Sequence, residues 1–177
     1  MKTLRLPAAI GAALALSGCG FHPLYGRMDN GAGVQATFAA IYVPPIDLER
    51  AGYELRNDLI DDLQASSRPE GALYDLKIVL TEKNEGIAIQ NELVGTVKEV
   101  EITRYNYTLV ARYQLIDRKT QKPVTKGIES SLSAYDVVAS PYATIEAKFK
   151  AQKNTAADVA EQLRLKLAVY FRQNQAK

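Results

Sequence analysis

Between positions 103 and 116 the chain alternates: Tyr105, Tyr107, Leu109, Ala111, Tyr113 and Leu115 share one parity, and Arg104, Asn106, Thr108, Arg112 and Gln114 the other. Successive side chains of a β-strand point to opposite faces, so such a run is a strand with one face on a core and one toward water. Positions 73–81 repeat the pattern, with Tyr74, Leu76, Ile78 and Leu80 set against Asp75, Lys77, Val79 and Thr81. The polar stretch 117–123 reads as a turn and 124–138 as a returning strand of weaker alternation. Three strands this close in sequence make an antiparallel meander whose apolar face needs a cover.

Two helical patterns supply it. Leu48, Gly52, Leu55, Leu59 and Leu63 recur every three or four residues while Glu49, Arg56, Asp58 and Asp62 fall elsewhere, which predicts a helix over 48–65 capped by Asp47. Ser140-Pro141 is a capping serine followed by proline at the first helical position. Ile145, Phe149, Ala156, Ala160, Leu163, Leu167 and Tyr170 then form one stripe, with a kink expected near Asn154-Thr155. The short apolar run 38–43, stopped by Pro44-Pro45, reads as a buried first strand. The expected fold is α+β: a two-layer sandwich of a roughly four-stranded sheet with two helices packed on one face.

One segment breaks the alternation. Apolar residues sit at even positions before Asn84 and at odd ones after Gly86, and the returning arm shifts between Ile102 and Tyr105. A one-residue shift on both arms predicts a bulge at 84–86 and another near 102–104. Two readings of the tip, 85–103, stay open: it projects beyond the helices and shows Ile87, Ile89, Val100 and Ile102 to a partner, or it is an irregular loop with incidental apolar residues.

The N-terminus fixes the compartment. Lys2 and Arg5 precede the apolar stretch 8–16, which is too short to span a bilayer and is closed by Leu16-Ser17-Gly18-Cys19. That is a lipobox, which directs acylation of Cys19 and cleavage before it. Cys19 is the single cysteine and so cannot form an intramolecular disulfide. The alternative is a soluble exported protein whose signal happens to carry a cysteine. Gly20 follows, not the aspartate that retains lipoproteins in the inner membrane, which points to the periplasmic face of the outer membrane. The expected division is a signal peptide over 1–18, a lipidated N-terminus and flexible tether over 19–37, and a single α+β domain over 38–177.

Without the signal, the 22 basic and 20 acidic residues lose Lys2 and Arg5 and balance at 20 against 20. Positions 27–102 hold 7 basic and 14 acidic residues and positions 103–177 hold 13 and 6, an asymmetry that gives opposite faces to different partners or mixes on folding. No basic cluster interleaved with aromatics suits nucleic acid. His22, the only histidine, lies three residues from Cys19, away from any triad or metal cluster. Asp61-Asp62, Glu82 and Glu85 have no apolar pocket to raise a pKa, and there is no Gly-rich phosphate loop or Gly-x-Ser-x-Gly elbow. The sequence thus predicts no enzyme, cofactor or metal.

The octet Cys19-Gly20-Phe21-His22-Pro23-Leu24-Tyr25-Gly26, directly after the lipobox, resembles the start of the lipopolysaccharide-assembly lipoproteins of the LptE family. The order of elements agrees, and Arg104 to Asp117 reads Arg-Tyr-Asn-Tyr-x-Leu-x-Ala-Arg-Tyr-x-Leu-x-Asp. The resemblance implies a periplasmic lipoprotein seated inside the LptD outer-membrane β-barrel as plug, assembly factor and lipopolysaccharide-binding component. By position it makes Arg104 and Lys148 the candidate lipopolysaccharide contacts, and a fold that gathers Arg104, Lys148 and Lys150 near the hairpin would offer charge-assisted bonds to phosphate beside Ile87 and Ile89 for acyl chains. The chain departs from the family in having no arginine between Gly86 and Thr103, only Lys98. An adaptor or pilotin of another outer-membrane barrel and a lipoprotein hydrolase are the alternatives.

Overall fold

The computed structural model describes residues 31–65, 68, 70–94 and 97–175. Cys19 and His22 lie outside the described residues, as do the side chains of 88–101, Ile89 among them. The alternating run is the spine of the fold. As β3 (Val97–Asp117) it pairs antiparallel with β2 (Tyr74–Val94) on one side and β4 (Pro123–Asp136) on the other. Tyr107, Leu109, Ala111, Tyr113 and Leu115 are all buried, while Arg104, Arg112 and Gln114 are exposed on the opposite face. β1 (Ile41–Tyr42) adds parallel to β2 at Tyr74 and Asp75, giving a mixed four-stranded sheet in the order β1-β2-β3-β4. Helices pack on one side and the other face is open, the α+β arrangement that the patterning predicts.

The helix over Glu49–Leu63 (α2, preceded by α1 over Gly31–Ala39) buries Ala51, Gly52, Leu55, Leu59 and Leu63 against that core. Gly52 belongs in this stripe because a Cβ there would lie 2.5 Å from the carbonyl oxygen of Ile46. The final helix, α3 (Pro141–Gln175), contributes Ala156, Val159, Ala160, Leu163 and Leu167 to the core. Near its C-terminal end Phe171 gathers Phe38, Tyr74 and Tyr170 at centroid distances of 6.1, 5.5 and 5.2 Å.

Several expectations are corrected. The tether does not extend through residues 31–37, which are helical in α1; α1 also takes Phe38, so the first strand shrinks to two residues. Asp47 does not cap α2: the chain enters through Leu48 at φ 106°, without a side-chain cap, and the first turn is closed by Gly52 N–H donating to Leu48 O at 2.7 Å. The α3 stripe begins later than its periodicity says. Ile145 is 49 % exposed and Phe149 is half-buried beneath the guanidinium of Arg50, 3.9 Å from the ring centroid, because the first turns of α3 part from the sheet. The helix runs unbroken through Asn154-Thr155, where the buried Thr155 hydroxyl bonds back to the carbonyls of Ala151 and Gln152 at 3.0 and 2.9 Å, satisfying itself within the helix.

The hairpin is a continuous ladder, longer than its alternation shows. β4 stops at the Arg104–Asp136 pair, whereas β2 and β3 stay paired to Val94 and Val97. Seven residues per arm run past that point, about 23 Å at the usual strand rise of about 3.3 Å. The bulge expected near 102–104 is present, with Thr103 as the extra residue between the Ile87–Arg104 and Ala88–Ile102 pairs. The outgoing bulge falls at Ile89, not at 84–86, where pairing is regular.

Candidate functional site

Both glutamates at the start of the hairpin have local partners. Glu82 accepts the hydroxyl of buried Tyr107 at 2.7 Å, and Glu85 pairs with Lys83 at 2.6 Å. Burial and then the Glu82 bond push the Tyr107 phenol well above the usual tyrosine range, so it is a fixed donor and not a base. Burial raises the Asp58 carboxyl, helped by the negative charges of Asp62 and Glu54. Asp61 and Asp62 stand exposed on α2. Among the described residues no three His, Cys, Asp or Glu side chains are grouped to hold a metal.

The hairpin end of the domain is shaped by how α3 crosses β4. Over the middle of β4 the two are tied: Gln162 donates to the carbonyl of Ser130 at 3.3 Å, the Ser131 hydroxyl to Asp158 at 2.8 Å, and Lys166 pairs with Glu129 at 3.8 Å. Toward its N-terminus the helix diverges. There Thr144 clasps Val138, accepting from its N–H at 3.1 Å and reaching its carbonyl at 3.3 Å, while Ser140 Oγ accepts from Ala143 N–H at 3.5 Å. Between strand and helix opens a groove of about 430 Å³, bordered by Ala134 and Asp136 on β4 and by Ala143, Ala147, Lys150 and Ala151 on α3. Alanines at every fourth position form its helical wall.

The sequence-predicted contacts divide around this end. Ile87, Arg104 and Asp136 form one row across β2, β3 and β4, and Arg104 pairs with Asp136 at 3.6 Å. Arg104 has the parity opposite to buried Tyr107, which places this row on the open face. Lys150 borders the groove on the helix side, and half-buried Lys148 stands two residues away around the helix. Ile102 does not join Ile87: a Cβ on Gly86 would meet Ile102 Cδ1 at 2.9 Å and a Tyr105 ring carbon at 3.2 Å, so Ile102 lies over Gly86 on the helix side.

A larger feature escapes the alternation. The open face carries Val79, Ile128 and Leu132 at 66, 60 and 58 % exposure. Two adjacent rows, Lys77–Gln114–Lys126 and Val79–Arg112–Ile128, place Arg112 between Val79 and Ile128 and set Lys77 and Lys126 beside them. Lys77, Arg112 and Lys126 form no ion pair among the described residues. The signal was present: Val79 and Val110 occupy the polar parity of otherwise regular strands.

The domain is thus of the open-faced α+β class, a four-stranded sheet with helices on one side and a bare face that mixes exposed apolar groups with cations outside any described ion pair. The family model for lipopolysaccharide assembly, LptE, matches residues 38–167, and the chain belongs to that family. A crystal structure from Caulobacter crescentus, of a protein described as a lipoprotein, is 26 % identical, with 78 % of this chain and 96 % of that one covered and a TM-score of 0.62. The fold is shared with a minor lipoprotein from Acinetobacter baumannii (14 % identical, 74 and 92 % covered, TM-score 0.51). It is shared too with the rare lipoprotein B from Shewanella oneidensis (11 % identical, 77 and 99 % covered, TM-score 0.50). A comparison with curated protein sequences finds no match.

Proposed function

We propose that this chain is an outer-membrane lipoprotein of the lipopolysaccharide export machinery. Acyl chains on Cys19 hold it at the periplasmic face, and the folded domain sits in an LptD-like β-barrel as plug and assembly factor. Two or more chains on one residue anchor durably where a single chain binds only marginally. The observation that carries the reading, beside family membership, is the bare sheet face: exposed Val79, Ile128 and Leu132 form the kind of patch that marks a protein contact. The family match favours this barrel over a secretin or another assembly machine, and a non-catalytic role over a hydrolase.

Lipopolysaccharide pairs phosphates with acyl chains, and its contact is proposed at the Ile87–Arg104 row, where a guanidinium and an exposed aliphatic group are cross-strand neighbours. Lys148 and Lys150 would meet the same lipid only by its wrapping round the end of the sheet.

The test is co-purification of the tagged full-length protein with the LptD-like barrel. Val79→Asp combined with Ile128→Asp should reduce recovery about tenfold or more, as loss of a central apolar contact does, with the circular dichroism of the fold unchanged. Cys19→Ala should release the free protein from the membrane yet leave part of the complex. Wild-type protein that brings down a different barrel, or double-variant protein that recovers the LptD-like barrel undiminished, overturns the reading.

A further inference from the structure

The groove beside β4 exposes an uncapped sheet edge. β4 is the outermost strand, so one side of its backbone pairs with no described strand. The direction of its groups can be read from two hydrogen bonds. Val137 N–H points inward to the Thr103 carbonyl at 2.8 Å, whereas the Ser130 carbonyl points outward and takes Gln162 at 3.3 Å. Backbone groups alternate in direction along an antiparallel edge, and the β3–β4 register is unshifted between Arg104–Asp136 and Gln114–Lys126. Leu132, Ala134 and Asp136 therefore turn their N–H and C=O groups away from β3, as Ser130 does.

Natural sheets guard such edges with charges, prolines or covering side chains. The middle of β4 is guarded in this way, by Gln162 on Ser130 and by the ties of Asp158 and Lys166 to Ser131 and Glu129. No described side chain covers the outward groups of residues 132–136, and there α3 stands back and presents Ala143, Ala147 and Ala151, with Lys150 and Asn154 beside them. A slot between an edge strand and a helix, with hydrogen-bonding groups on one wall and small side chains on the other, is the geometry that accepts an added strand. One lining cation is available to a ligand: Asp136 pairs with Arg104 at 3.6 Å, while Lys150 forms no ion pair among the described residues.

We propose that the groove takes an extended peptide segment of a partner protein, added as a further strand along residues 132–136 of β4, with a carboxylate of that segment on Lys150. Backbone bonds to Ala134 and Asp136 supply the register. The alanine wall selects small side chains on the face turned to α3, and Lys150 selects an acidic one beside them. The site adjoins the open face at Leu132 and the Ile87–Arg104 row at Asp136 but uses the outer backbone edge of β4, and it stands whichever barrel the protein serves.

The probe is the capped pentapeptide acetyl-Val-Thr-Glu-Thr-Val-amide, titrated into the full-length chain in detergent while backbone amide exchange is followed residue by residue. Saturating peptide should slow exchange of the Ala134 and Asp136 amides about tenfold or more, as new hydrogen bonds do. An analogue N-methylated on alternate residues should not slow it. Ala147→Trp, which fills the slot, should remove binding, and Lys150→Gln, a surface change that cannot unfold the chain, should weaken it and reduce its salt dependence. No slowing at about 1 mM peptide overturns the proposal. So does equal binding of the N-methylated analogue, or protection along β2 in place of β4.

Discussion

Leu109→Ala tests the register on which the whole architecture rests. Leu109 has no exposed surface and sits at the centre of β3, paired with Glu82 on one side and Ser131 on the other. Removing a buried leucine side chain costs its transfer free energy plus a penalty for the cavity, about 2.7 to 5 kcal/mol together. The upper part of that range is expected, about 3.5 to 5 kcal/mol, because a strand hydrogen-bonded on both sides cannot move inward to fill the space. For a domain of this size about 1 kcal/mol lowers Tm by 2–4 °C, so the midpoint should fall by about 7 to 20 °C. Arg112→Ala, three residues along on the open face and outside any described ion pair, is the matched control and should stay within about 0.5 kcal/mol. Urea unfolding followed by circular dichroism measures both, compared at equal m-value. If the two variants fall within about 1 kcal/mol of each other, Leu109 is not in the core and the facial assignment of β3 is wrong.

Tyr107→Phe should flatten the alkaline loss of stability. The folded phenol is raised, so stability is full below the unfolded tyrosine value of about 10 and falls as pH rises beyond it. Phenylalanine removes that share of the slope and leaves the shares of Tyr113 and Tyr170, whose pKa values burial also raises. Identical pH profiles for variant and wild type would contradict this. Asp58→Asn should stabilise the protein at neutral pH and not at about pH 3. The Asp58 carboxyl is raised chiefly by burial, so its contribution is present below about pH 4 and lost as pH rises through the folded value. A lower Tm for the variant at pH 7 would show that the attraction of Lys153 outweighs burial.

What the sequence makes legible is what a local period encodes. Tyr107, Leu109 and Leu115 announce their face by alternation, and Ser140-Pro141 marks the start of α3 within a residue. Asp47 fails as a cap because the entry to α2 is decided by left-handed backbone at Leu48 and Glu49, with no capping side chain. Ile145 keeps the helical period of its stripe where α3 has already diverged from the sheet, so periodicity alone overstates the core. The groove is further from reach, since it arises from the angle at which α3 leaves β4 and no stretch of sequence records that angle. The bare face lies between these cases: Val79 and Val110 are visible exceptions, but only the register shows that Val79, Arg112 and Ile128 are neighbours.

The paired bulges of the hairpin have a consequence for how its two 21-residue strands find each other. A long two-stranded ribbon without a buried face on either side is prone to slip, because sliding one arm past the other trades similar contacts. Here Thr103 adds one residue to β3 and Ile89 adds one to β2, so the offset opened at the first is closed at the second. Gln90 and Glu101 pair in the phase that Ile87 and Arg104 began, and the Val94–Val97 pair falls where an uninterrupted ladder would put it. Any slipped alignment must carry both irregularities to new positions and lift Ile102 off Gly86, where no side chain other than hydrogen would let it lie. The two defects thus act as a keyed lock on the ribbon.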